Sequence, residues 1–269
     1  MSDPVELHAE DSGQEAMPAM SFLEHLDELR KRIFRSVAAV AVGAVVCWFY
    51  HEALVGYMQR PIVDVLRHYK LPEQLVYLNP TEPFNLYLKI SILAGLFLTS
   101  PFVLYQVWLF ISPGLYRREK RYVGPFLFST VFLFTAGGYF GYRIVYPQAL
   151  NFLIHMGRQF LPMITIHEYT DLFLTVILGL GLVFEMPILV FFLALMGVVS
   201  AGWMWRNIRY AILLIFVIAG ALAPTPDITS MCVFAAPMLI LYALSIGIAW
   251  FVHPTQRKAR EARRTQAQA

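Results

Sequence analysis

The sequence predicts an all-α, polytopic membrane protein with six transmembrane helices. Its composition is 58% hydrophobic and only 14% charged, whereas a soluble domain is about half apolar and about a quarter charged. Six apolar segments are long enough, or nearly so, for the roughly 20 residues that cross a hydrocarbon core. The net charge of +3 is small and scattered, so nucleic acid is not an expected partner.

The six apolar segments can be bounded along the chain. They run near 33–56, 84–110, 123–146, 172–199, 208–223 and 228–252. The fifth segment is the shortest. We expect a stretch that short to thin the bilayer locally or to lie in a depression lined by protein.

The positions of the cations predict the orientation. With the N-terminus inside, 15 of the 21 Lys and Arg residues lie on the inner side of the spans. Cytoplasmic loops carry such an excess, so we expect both termini in the cytoplasm. Residues 1–20 contain acids and no Lys or Arg, which is unlike a secretory signal. We therefore predict a disordered cytoplasmic tail over 1–20, a transmembrane domain over 21–253 and a basic cytoplasmic tail over 254–269.

The outer loops after the first and third spans carry apolar residues at helical spacing, over 57–83 and 147–170. Each loop is predicted to contain a short amphipathic helix. One alternative is a helix lying in the membrane interface, and the other is a cap packed over the bundle. Interfacial helices are usually rich in cations. Neither loop is strongly cationic, so the cap is favoured.

The stretch "FLEHLDELRKRIFRS" precedes the first span. Ser21 and Glu24 have the spacing of a capping box, which predicts a helix beginning at Phe22. Most of its charges have ordinary explanations: helix-dipole effects, ion pairs at i, i+4 and the excess of cations on the cytoplasmic side of a span. They do not account for Glu28, which lies past the first turn at the membrane boundary. In the second inner loop, Glu119 stands among four cations, which by itself indicates no more than a local ion pair.

Four stretches together resemble a known family. They are "FLEHLDELRKR" at 22–32, "SPFVLYQVWLFISPGLYRREKR" at 100–121, "FEMP" at 184–187 and "PTPD" at 224–227. In order and spacing they are similar to the core subunit of the twin-arginine protein translocase, the TatC family. The resemblance implies a concave, glove-like bundle with short fifth and sixth spans.

The resemblance also implies a function. Members of the family bind signal peptides that carry two adjacent arginines. With TatA- and TatB-type single-span subunits, and in a larger self-associated complex, they transport folded proteins across the bacterial inner membrane, driven by the proton-motive force. The implied protein is not an enzyme and has no cofactor or metal. Its implied partners are signal peptides, those subunits and membrane lipid.

The family motifs place the signal-peptide site on four residues of this chain. Glu28 and Glu119 are the expected acceptors, because a guanidinium fork matches a carboxylate with two parallel hydrogen bonds. Arg30 is expected to hold Glu28 when no cargo is bound. Phe110 is expected to offer an apolar surface to the hydrophobic part of the signal, with a lipid-facing aromatic of the membrane interface as the alternative.

Other positions are interpreted as partner contacts or structural devices. Glu185 lies within the fourth span, where a carboxylate is costly and indicates either function or a hydrogen-bonded interior group. The resemblance adds Thr225 and Asp227 as partner contacts, although Met231 stands where a polar residue is expected, with Thr229 or Ser230 as substitutes. Further expectations are kinks at Pro101 and Pro187, a kink or close packing at Gly137 and Gly138, and snorkelling of Lys89 and Arg143.

Two other function classes are alternatives to protein translocation. A small-solute secondary transporter usually shows several intramembrane charges and an internal repeat, whereas this chain has one clear mid-span acid and no repeat. A membrane enzyme needs a nucleophile with a base, or clustered metal ligands. The histidines show no two-ligand spacing on a span.

Overall fold

The computed structural model describes residues 22–111, 123–195, 197–223 and 227–267. Within these ranges the protein is almost entirely helical, as the sequence predicts, and an isolated bridge joins Val76 to Thr165. The predicted tail 1–20, Glu119 and Thr225 lie outside the described residues. The helices, in chain order, are α1 (Phe22–Trp48), α2 (His51–His68), α3 (Glu82–Ile111), α4 (Val123–Phe140), α5 (Tyr146–Met156), α6 (Ile166–Val183), α7 (Met186–Leu195), α8 (Ala201–Arg206), α9 (Ile208–Leu222) and α10 (Ile228–Ala267).

Six apolar helical segments of the described chain overlap the six predicted spans. Three of them are long and apolar enough to cross a membrane on their own: Glu82–Phe110, Ile166–Leu195 and Ile228–Phe251. The bent pair α1 and α2 qualifies when it is taken together, and α9 is a shorter apolar helix. The apolar helix α4 has 18 residues and continues through a π-helical turn, Gly141–Val145, into α5. The six-span prediction is consistent with this arrangement.

The first span ends earlier than the sequence predicts. α1 ends at Trp48 rather than near residue 56, and α2 runs at 88° to it. The predicted capping residue Ser21 lies outside the described residues, so the capping box stays a prediction. At the turn His51 Nδ1 donates to the Trp48 carbonyl at 2.6 Å. Leu54 and Val55 prolong the apolar run in sequence, but they pack against the core of the cap.

Both predicted outer helices exist, and they form a packed cap. The side chains that α2 buries are Met58, Pro61, Ile62, Val65 and Leu66. Two tyrosine hydroxyls attach α2 to the bundle: Tyr169 donates to the Met58 carbonyl, and Tyr142 donates to the Tyr57 carbonyl at 2.7 Å. The cap alternative is therefore the one that the structure supports.

The fourth span is broken at the predicted proline. α6 ends at Val183 and α7 begins at Met186, with Glu185 in the turn between them. Pro187 falls in the first turn of α7, where a missing N–H breaks no intrahelical hydrogen bond. Pro101, by contrast, leaves α3 continuous. It deprives the Phe97 carbonyl of its i+4 donor, and the Ser100 hydroxyl donates to that carbonyl at 2.8 Å instead.

Glycines allow three helix pairs to approach closely. A Cβ on Gly137 would lie 2.6 Å from the Leu180 carbonyl oxygen of α6, and one on Gly138 would lie 2.5 Å from the Phe97 ring of α3. The predicted close packing there is confirmed. The tightest approach joins α1 to α3, because a Cβ on Gly95 would lie 2.4 Å from the Ala44 nitrogen.

The last two spans differ in length. α9 has 15 residues, and at about 1.5 Å per residue it falls short of a hydrocarbon core about 30 Å thick. The expected short fifth span is confirmed. The sixth span is not short: its apolar part, Ile228–Phe251, has 24 residues. Pro237 lies inside α10 without ending it, and the helix continues through the basic segment to Ala267.

Candidate functional site

The start of α1 and the end of α3 meet at one end of the bundle. His25, Glu28 and Arg32 follow at i, i+3 and i+7, so they share one face of α1. The His25 ring stacks on the Phe110 ring of α3, with centroids 4.4 Å apart and planes at 19°. Arg32 Nη1 donates to Gln106 Oε1 at 3.0 Å. The fold thus brings the two predicted site residues Glu28 and Phe110 to the same junction.

The Glu28 carboxylate is only half satisfied at this junction. Arg32 Nη2 donates to Glu28 Oε1 at 3.0 Å, and each of the two side chains is 19% exposed. Glu28 Oε2 is buried and accepts no hydrogen bond from any described residue. An unsatisfied buried acceptor costs about 1–3 kcal/mol. A further N–H donor is therefore favoured at this oxygen, and water competes only partly for it.

The partner of Glu28 is Arg32, not Arg30 as expected. Residues two apart on a helix point in different directions, whereas residues four apart are neighbours. The Arg30 side chain is exposed, and its guanidinium lies 5.7 Å from the centroid of the Phe34 ring. The i, i+4 spacing would have identified Arg32 from the sequence. Gln106, a lone amide in an apolar span, carried a weaker signal.

An aromatic cluster fixes the end of α3 that carries Phe110. Trp108 is buried and packs on Phe126 of α4 and Phe192 of α7, with centroids 4.8 Å and 4.7 Å away. Phe110 itself is only partly exposed, so it is not a fully lipid-facing ring. Glu119 lies outside the described residues, between α3 and α4 in sequence.

Glu185 occupies the turn that breaks the fourth span. Its carboxylate oxygen Oε1 is buried and has no hydrogen-bond partner within the described part of the chain. The alternative interpretation, an acid hydrogen-bonded to a neighbouring span, has no donor among those residues. Glu185 is thus a second carboxylate that can accept a further hydrogen bond. It lies in the break of the fourth span rather than at the junction of α1 and α3.

Asp227 lies at the opposite end of the bundle from Glu28. Its Oδ2 accepts a hydrogen bond of 2.8 Å from the Ser230 N–H, so it caps the N-terminus of α10. Phe234, one turn further along, packs in the same core as Met58 of the cap. Met231 packs towards α9, since a Cβ on Gly220 would lie 3.1 Å from its Cε. Asp227 thus has a structural role, and its partner contact stays a prediction.

Lys89 forms an ion pair between α3 and α6, and its snorkelling stays a prediction. Its Nζ pairs with Asp171 Oδ1 of α6, and His167 Nδ1 lies 3.1 Å from the other oxygen, Oδ2. The sequence interpretation missed Asp171, although an acid one turn after a histidine at the start of an apolar helix was a usable signal. Arg143 lies in the π-helical turn and borders an open pocket beside α2.

Comparisons with known proteins show which family this chain resembles. The family model "Sec-independent protein translocase protein (TatC)" matches residues 24–237. The Sec-independent protein translocase protein TatC of Koribacter versatilis is 67% identical over 254 residues, covering 94% of each chain. That of Carboxydothermus hydrogenoformans is 37% identical over 238 residues, covering 88% of this chain and 96% of the relative.

A solved structure is also similar. The crystal structure of a twin-arginine translocase receptor, TatC, superposes with a TM-score of 0.75 at 34% identity, and the match covers 85% of this chain and 99% of the other. None of these relatives is a small-solute transporter or an enzyme, so neither alternative finds support. The chain belongs to the TatC family of Sec-independent protein translocase proteins.

Proposed function

We propose that this chain is the receptor subunit of a twin-arginine translocase in a bacterial inner membrane. Both termini lie in the cytoplasm, so the junction of α1 and α3 faces the cytoplasm. There the chain binds the twin-arginine signal peptide of a folded cargo protein. It then assembles with copies of itself and with TatA- and TatB-type single-span subunits, and transport is driven by the proton-motive force.

The observation that carries this proposal is the half-satisfied carboxylate of Glu28. Arg32 already pairs with one oxygen, so the environment accommodates a guanidinium. The second oxygen is buried with no hydrogen bond from the described residues, and it is ready to accept one from an arginine of the signal. A charge-assisted hydrogen bond in a partly dry site is stronger than its exposed counterpart.

The other predicted site residues have roles that follow from this position. Phe110 lies against His25 beside Glu28 and offers an apolar face to the hydrophobic part of the signal. Glu119 is the proposed acceptor for the second arginine. Arg30, exposed on the neighbouring face of α1, is proposed to contact residues that flank the arginine pair.

Partner subunits are proposed to contact the break in the fourth span. A polar group on a single-span helix would donate to the Glu185 oxygen that has no partner among the described residues. Such a contact satisfies a carboxylate that is costly in an apolar environment. Thr225 and Asp227 are proposed as a second contact, at the other end of the bundle.

Signal-peptide capture by the purified protein tests the proposal. A fluorescent signal peptide with two arginines is titrated against wild type and Glu28→Gln, which keeps the shape of the side chain and removes its charge. We expect Glu28→Gln to weaken capture about tenfold, the effect of losing one charge-assisted hydrogen bond of about 1.4 kcal/mol. A peptide with both arginines replaced by lysine should be captured weakly by both proteins.

Asp27→Asn is the matched control. Asp27 lies next to Glu28 on α1 but is exposed and pairs with Lys31, so its removal should leave capture unchanged. Equal capture by wild type and Glu28→Gln, or equal capture of the arginine and lysine peptides, would contradict the proposal.

A further inference from the structure

An open pocket of about 780 Å³ lies between α2 of the cap and the π-helical turn, and Arg60, Asp64, His68 and Arg143 are exposed along it. One wall is α2, which contributes Arg60, Asp64 and His68. The facing wall is the π-helical turn and the start of α5, which contribute Tyr142, Arg143 and Asn151. We call this space the cap cavity. The signal-peptide site uses none of these residues.

The two arginines of the cap cavity are available to a ligand. The ion pairs formed among the described residues include neither Arg60, Arg143 nor Asp64. The Arg60 guanidinium lies 4.1 Å from the centroid of the Tyr57 ring. This contact fixes its direction and leaves its N–H edges free for hydrogen bonds.

A hydrogen bond joins the two walls of the cap cavity, so Arg60 and Arg143 are held in place relative to each other. Tyr142 donates from the π-helical turn to the Tyr57 carbonyl of α2 at 2.7 Å. Tyr142 lines the cap cavity together with Arg60, Arg143 and Asp64. π-helical turns occur often at functional sites, and this one places Arg143 opposite Arg60.

We propose that the cap cavity binds a phosphate group. Two guanidiniums on facing walls outweigh the single carboxylate of Asp64, and an arginine fork matches two phosphate oxygens at once. His68 and Asn151 add polar groups that can contact the phosphate or hydroxyls attached to it. A phospholipid headgroup and free inorganic phosphate share this chemistry.

The cap cavity lies where a lipid headgroup can reach it. Tyr57 and Tyr139, which also line it, are 55% and 64% exposed. Tyrosines are enriched at the level of lipid headgroups. A phosphodiester at that level would enter between α2 and the π-helical turn while its acyl chains stay outside the bundle.

The test compares three probes on the full-length protein in detergent. These are phosphatidylglycerol, diacylglycerol with the same acyl chains, and inorganic phosphate. Lipid binding is measured by native mass spectrometry, and phosphate binding by calorimetry. The variants are Arg60→Gln with Arg143→Gln, Arg143→Gln alone in case the double variant does not fold, and Asp64→Asn. Arg158→Gln is the control, because Arg158 stacks on Tyr69 and does not line the cavity.

A phosphate site is identified when removing the arginines weakens lipid binding and removing the Asp64 charge strengthens it. We expect the double arginine variant to weaken phosphatidylglycerol binding about tenfold, Asp64→Asn to strengthen it and Arg158→Gln to leave it unchanged. Binding of inorganic phosphate with the same variant pattern, and no preference for phosphatidylglycerol, would support the proposal with free phosphate as the ligand. Equal binding of diacylglycerol and phosphatidylglycerol without phosphate binding, or unchanged binding after Arg143→Gln, would overturn it.

Discussion

Arg32 pairs with Glu28 through one carboxylate oxygen, at 3.0 Å. The second oxygen is buried and accepts no hydrogen bond from the described residues. The pair is tied to α3 through Gln106, so the carboxylate is held at a fixed place between two helices. Arg32 is thus the resting partner of Glu28, at the oxygen next to the one where a guanidinium of the signal peptide is proposed to bind.

The first prediction concerns this resting partner. Arg32→Gln removes a cation that competes for Glu28 and repels a twin-arginine peptide, so we expect capture to strengthen several-fold. Arg32→Lys keeps the charge and should leave capture close to wild type. Peptide titration of the three proteins measures the effect. A loss of capture as large as that of Glu28→Gln would mean that Arg32 positions Glu28 rather than competing for it.

The second prediction concerns the contact between α1 and α3. Gly95→Val places side-chain atoms where even a Cβ would lie 2.4 Å from the Ala44 nitrogen. We expect it to lower the free energy of unfolding by about 1–3 kcal/mol or more, and to weaken capture because Glu28 and Phe110 move apart. Thermal unfolding in detergent and peptide titration measure both effects.

Gly56→Val is the control for the α1–α3 contact, since a Cβ there meets nothing within 4 Å. Unfolding of Gly95→Val at the temperature of wild type would contradict the close approach of α1 to α3.

The third prediction concerns the ion pair between α3 and α6. Lys89 and Asp171 are 39% and 43% exposed, and partly solvated pairs contribute about 0–1 kcal/mol. Asp171→Asn should therefore lower the unfolding temperature slightly, and the difference should shrink in high salt. Thermal unfolding at low and high ionic strength checks this. A large effect that does not respond to salt would mean that the pair is shielded from solvent.

The fourth prediction concerns Glu185. Glu185→Ala removes a carboxylate oxygen that is buried without a partner among the described residues, so we expect unchanged or higher stability. Signal-peptide capture should be retained, whereas recovery of TatA- and TatB-type subunits by affinity purification should fall. Leu182→Ala, an exposed position before the same turn, is the matched control. Equal recovery of the subunits with wild type and Glu185→Ala would contradict the proposed contact.

The apolar helices could be predicted from the sequence, because a long apolar run is the signal that marks them. The outer helices and the break near Pro187 also follow from local signals, namely apolar periodicity and a proline. The end of α1 at Trp48 could not be predicted, since Leu54 and Val55 are as apolar as a span. Only their packing in the cap separates them from it.

Contacts between distant parts of the chain were the part that sequence patterns could not supply. The Lys89–Asp171 pair joins residues 82 positions apart, and the stacking of His25 on Phe110 depends on how α1 crosses α3. The partner of Glu28 is a different case. The i, i+4 spacing favours Arg32, so local geometry was sufficient to choose it over Arg30.

A double-mutant cycle between the protein and the signal peptide isolates the contact between Glu28 and the arginine pair. Wild type and Glu28→Gln are each titrated with the twin-arginine peptide and with its twin-lysine variant, and the coupling free energy is taken from the four dissociation constants. We predict that changing the arginines weakens capture by wild type much more than by Glu28→Gln, with a coupling of about 1 kcal/mol or more. Additive effects, with no coupling between Glu28 and the arginine pair, would contradict the account.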